Sequence, residues 1–130
     1  MIIECSDGSK KYPIEVCWRY GVYDGNHATF DVIGIGGFFM MKDKLIELRN
    51  LINGILHGIH VKAIPTRSYP NFRNIHRRVT VSFYPTGRYP KYTNKESLVL
   101  YMKESVSRFL VIDNKDLPTL RGYINTIIHI

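Results

Sequence analysis

The chain has 130 residues, 45% of them hydrophobic, with a formal net charge of +7 and two cysteines. This composition supplies a core for one domain and excludes a disordered chain, and two cysteines are too few for a disulfide framework. No apolar run reaches the ~18 residues that span a bilayer. Glu4 and Asp7 stand where a signal peptide would need apolar residues, so a soluble, cytoplasmic protein is expected.

From the N-terminus, strand patterns come first. Ile14, Val16, Trp18 and Tyr20 alternate with Glu15, Cys17 and Arg19, and Phe30 and Val32 alternate with Thr29 and Asp31. Cys5 and Cys17 fall in such stretches and read as small buried thiols without metal-ligand spacing. His27-Ala28-Thr29 matches one His-x-Thr motif of two-histidine phosphoesterases, but no second copy exists, so it carries no catalytic assignment. Gly34–Gly37 lacks the Lys-Ser/Thr of a phosphate-cradling loop and reads as a strand bend or bulge.

An apolar run then turns into DKLIELRNLINGILH, Asp43 to His57, with Leu45, Leu48, Ile52, Ile55 and Leu56 on one helical stripe. Asp43 is the expected N-cap. His57 falls near the helix C-terminus, where the dipole favours a cation; His57 and His60 alone do not make a metal site.

The middle of the chain is basic. Residues 48–95 hold nine Lys or Arg and no Asp or Glu, whereas residues 1–47 carry five bases and seven acids. Between the cations lie aromatics, and two loop-like stretches, SYPNFRN and YPTGRYPKYTN, flank a strand ending Val79, Val81, Phe83. Phe83 is core by alternation, with Arg78, Thr80, Ser82 and Tyr84 on the polar face. Arg67, Arg73, Arg77, Arg78, Arg88 and Lys91 are the expected phosphate contacts, and Tyr69, Phe72, Tyr89 and Tyr92 the expected stacking residues. Aromatic faces stack on unpaired bases, so a single strand suits this pattern better than a duplex.

Two more strand runs, Leu98–Met102 and Phe109–Ile112, flank the turn-like KESVS. The second leads into KDLPTLRGYINTIIH, Lys115 to His129, with Leu117, Leu120, Ile124, Ile127 and Ile128 on one stripe, Asn114 or Asp116 as N-cap, and Pro118 in the first turn. Aligned without gaps, this segment matches Asp43–His57 at seven of fifteen positions, among them a shared Leu-Arg-x-x-Ile-Asn. The expected fold class is therefore α+β: an antiparallel sheet with two amphipathic helices, in two pseudo-repeated halves, 1–58 and 59–130, of one compact domain. The halves would share one continuous sheet or pack as pseudo-twofold units.

The strand-into-helix passages Gly36–Leu56 and Phe109–Ile128 resemble those of the transcriptional-coactivator/Whirly type of single-strand DNA-binding protein. That resemblance implies a unit of four strands and a helix, used twice in one chain. The Lys-Gly-Lys-rich strand signature of Whirly proteins is absent, and 130 residues imply that some strands are brief or missing.

The expected function is non-enzymatic binding of single-stranded DNA or RNA, with no metal and no cofactor. An acidic protein or a nucleotide ligand is the other class of partner, as for a virus-type inhibitor or sponge. Exposed strand edges and the apolar C-terminus IIHI could support a homodimer.

Overall fold

The structure is a computed structural model. It describes residues 1–21, 25–57, 66–69, 80–85, 97–103 and 106–129, with the backbone alone for 66–69 and 80. Four strands come first: β1 (Ile2–Ser6), β2 (Lys11–Arg19), β3 (His27–Val32) and β4 (Gly36–Met41), followed by helix α1 (Lys42–Leu56). Four more follow: β5 (Thr66–Tyr69), β6 (Thr80–Pro85), β7 (Leu98–Lys103) and β8 (Ser107–Ile112), then a 3₁₀ turn at Asn114–Asp116 and helix α2 (Leu117–Ile128). The four strands that follow α1 are brief, none longer than six residues.

The strands form one antiparallel sheet in the order β4-β3-β2-β1-β8-β7-β6-β5. Hydrophobic alternation decides which face of each strand turns inward. Ile14 and Val16 of β2, Phe30 and Val32 of β3, Phe38 and Met40 of β4, Phe83 of β6, Leu98 and Leu100 of β7, and Leu110 and Ile112 of β8 are all buried. These residues belong to one cluster with the apolar stripes of both helices.

The sheet curls strongly. Phe83 on β6 lies 6.4 Å from Phe30 on β3 and 6.1 Å from Phe38 on β4, ring centre to ring centre. In a flat sheet, strands five apart would stand about 24 Å from each other. The curl brings the two ends of the sheet around the same helical core. Each helix also reaches the other half: α1 touches β5 and β6 as well as β4, and the Tyr123 hydroxyl of α2 accepts the Trp18 backbone N–H of β2 at 3.0 Å. The helices pack on one another, and Arg121 donates to Asn53 Oδ1 at 3.2 Å.

Several local expectations change. Asp43 lies inside the first turn of α1; the N-cap is Met41, whose side chain makes no cap bond, because β4 runs into the helix without a loop. At α2, Asp116 holds the N-cap position without a side-chain bond, while Asp113 accepts from Lys115 N at the preceding 3₁₀ turn. Gly34–Gly37 is not a bend ahead of the helix. Residues 33–35 form the β3–β4 hairpin turn, with Gly34 at φ 93°, a conformation that disfavours any side chain. Tyr20 lies past the end of β2 and is exposed. Cys5 is buried, but Cys17 sits on the outward parity, half-buried, its Sγ 3.5 Å from Glu15 Oε1. Leu56 and Ile128 are half-buried, whereas Leu51 and Gly54 join the buried face of α1.

Candidate nucleic-acid interface

Of the residues expected to contact nucleic acid, Arg67 and Tyr69 lie on β5, the strand that pairs with β6. Phe72, Arg73, Arg77, Arg78, Arg88, Tyr89, Lys91 and Tyr92 lie outside the described residues. The segments carrying them join described strand ends: one runs from Tyr69 to Thr80, the other from Pro85 to Ser97. By connectivity, the basic stretches enter β6 and leave it at opposite ends.

The described strands between those ends carry a surface that charge density did not reveal. β6, β7 and β8 are in register, with Ser82 opposite Tyr101 and Tyr101 opposite Phe109. Leu100 and Leu110 point inward, so Tyr101 and Phe109 point outward as a cross-strand pair, and both are half-buried. Their rings are 4.8 Å apart, tilted by 42°. The Tyr101 hydroxyl lies 3.2 Å from Ser107 Oγ, which fixes the ring from its edge. Tyr84, two residues beyond Ser82 on the outward face of β6 and opposite Val99, is also half-buried.

The neighbours of this pair differ in kind. Ser82 was expected on an exposed polar face and is buried at 4% exposure; Val99, also of outward parity, is fully buried yet is not part of the main core. The outward face beside the rings is thus closed to solvent at Ser82 and Val99. Towards the β7–β8 turn, Lys103 shares the outward parity and is exposed, whereas Arg108, the register partner of buried Met102, has the inward parity of Leu110 and lies on the other face. A cation on the same face as a pair of partly open aromatic rings can hold a phosphate near a stacked base.

A small cavity of about 50 Å³ lies where β1 meets β8, bordered by the carboxylates of Glu4, Asp113 and Asp116 and by Lys11 and Lys115. It has room for a water or an ion, not for a nucleotide. Among the described residues, no group of three or more His, Cys, Asp or Glu could hold a metal ion, and no helix is long and apolar enough to cross a membrane. His57 and His129 both sit at helix C-caps. His27 has Nδ1 2.9 Å from the Gly25 carbonyl and its ring 5.2 Å from Phe39.

No protein-family model matches the sequence, and no curated protein matches it.

Proposed function

We propose that this protein is a non-enzymatic binding module for single-stranded nucleic acid, with the outward face of β7 and β8 around Tyr101 and Phe109 as its base-stacking platform. The observation that carries the reading is the adjacent pair Tyr101 and Phe109, half-buried on the outward face with exposed Lys103 on the same face. Aromatic faces take unpaired bases with little sequence preference, while cations hold the backbone. The acid-free stretch from 48 to 95, with its nine cations, enters and leaves the neighbouring strand. Within this reading Arg67, Arg73, Arg77, Arg78, Arg88 and Lys91 neutralise phosphates, and Tyr69, Phe72, Tyr89 and Tyr92 extend the stacking surface.

The same reading includes an internal repeat. Leu45 and Leu117 are 117 − 45 = 72 residues apart, and so are the inward residues Phe38 and Leu110 of the strands before the helices, 110 − 38 = 72. One offset running from strand into helix supports a four-strand-plus-helix unit used twice, as the resemblance to Whirly-type proteins implies. The Arg121–Asn53 bond joins residues of the shared Leu-Arg-x-x-Ile-Asn.

The test is fluorescence anisotropy with a labelled single strand of about 30 nucleotides and its duplex, at low and high salt. The expected result is preference for the single strand, with log affinity falling by about 0.7 per phosphate neutralised for each tenfold rise in salt. Equal, weak binding to both forms sinks the proposal.

A further inference from the structure

The two halves present opposite chemistry at equivalent places. Val16, Phe30 and Phe38 are cross-strand partners on β2, β3 and β4, and Phe83, Leu100 and Leu110 are cross-strand partners on β6, β7 and β8. All six are buried, so the two triplets occupy matching inward layers. One residue further along each strand, in the same direction, gives the matching outward rows. In the second half the row is Ser82, Tyr101, Phe109; in the first half it is Glu15, Asp31, Gly37. Where the second half has two rings, the first has a carboxylate and no side chain.

Glu15 and Asp31 are both exposed and directly opposite each other. Like charges in that register destabilise a sheet. Glu4, also exposed, lies on the next strand, opposite Pro13 of β2. A strand leaving the rings over β8 crosses the joint at Val111 and Ser6, passes Lys11 opposite Ser6, and then meets these three carboxylates. Phosphates are repelled there, and Gly37 offers no ring for a base.

We infer that the Glu15–Asp31 row is a barrier that confines a bound single strand to the second half, so that one chain covers one half-sheet of nucleic acid and no more. This inference rests on the function proposed above. It assigns Glu15 and Asp31 as determinants of footprint, with no contact to the ligand.

The test compares the full chain with the double variant Glu15→Gln/Asp31→Asn on labelled oligothymidylates from about 4 to about 24 nucleotides, spanning the range of common single-strand site sizes. A second double variant, Asp43→Asn/Asp116→Asn, makes the same change in net charge away from the row. The parent should reach its affinity plateau at a short length. Glu15→Gln/Asp31→Asn should keep gaining to roughly twice that length, with a salt slope steeper by about 0.7 for each added phosphate contact. The control should leave the plateau length where it was. If the parent and both variants share one plateau and one slope, or if the control lengthens the plateau equally, the barrier is refuted while the platform stands. If the parent ignores single strands, the proposed function itself falls and takes the barrier with it. Circular dichroism and Trp18 fluorescence verify that each variant is folded.

Discussion

At the scale of single residues, the rings on the outward face make the sharpest test. Tyr101→Ala and Phe109→Ala should each weaken single-strand binding by about 5- to 150-fold, from about 1–3 kcal/mol per stacked base. Thermal stability should change little, because both side chains point away from the core, and a binding titration beside a melting curve separates the two effects. Asp7 tests a different kind of site. In the β1–β2 turn its carboxylate accepts the backbone N–H groups of Lys10 at 2.8 Å and Ser9 at 3.0 Å, and the Tyr12 hydroxyl at 3.3 Å. These bonds, the Lys10 N–H foremost, hold its pKa at about 2, below the ordinary 3.8. The turn's contribution is therefore complete above pH 3.8 and is lost as the pH falls through about 2. A carboxyl NMR titration should find that midpoint, and Asp7→Asn should remove this part of the acid-induced loss of stability. The cysteines divide in the same way. Burial pushes the Cys5 thiol up to about 12, with Asp7 and Glu4 adding to the shift. At pH 8 a thiol reagent should label half-exposed Cys17 in the folded protein and leave Cys5 untouched until the chain unfolds.

At the scale of elements, period and alternation carried most of the architecture. The 3.6-residue stripes located both helices, alternation located β2, β3 and β6, and apolar runs located β4, β7 and β8. The departures have physical causes. Leu51 and Gly54 are buried because α1 meets both the curled sheet and α2, so its dry face is wider than a single stripe. Tyr101 and Phe109 escaped notice because they sit inside the apolar runs LVLYMK and SRFLVI, where an aromatic passes for core. Their parity was the available signal, since they alternate with Leu100 and Leu110. Charge density drew attention to Arg67–Lys95 instead, and most of that span lies outside the described residues. Two substitutions probe the elements. Asn53→Ala removes the acceptor of Arg121 between the helices and should cost about 1 kcal/mol in a denaturant titration. Gly34→Ala places a side chain at φ 93° in the β3–β4 turn and should cost about 1 kcal/mol or more, whereas Gly122→Ala, in a helix with open space around it, should be neutral or stabilising.

At the scale of the whole molecule, the two halves share one core, and each helix touches strands of the other half. Unfolding should then be a single transition. Trp18, the only tryptophan, reports on the first half, and its backbone is tied to α2. Its fluorescence should change together with far-ultraviolet circular dichroism across a urea titration. Two separated midpoints would mean that the halves are independent.

The joint between β1 and β8 pairs Cys5 with Ile112 and Ser6 with Val111, so the sheet is completed by residues more than a hundred positions apart. On a ribosome, β1 to α1 emerge long before their partners exist. At ~5–20 residues per second, the growing chain waits on the order of several seconds between the end of α1 and the arrival of α2. Through that interval Phe30 and Phe38 have neither Phe83 nor the second helix to cover them. The nascent first half is therefore a sticky intermediate by construction. Its yield in cells should depend on chaperone supply and translation speed more than the stability of the finished fold would suggest.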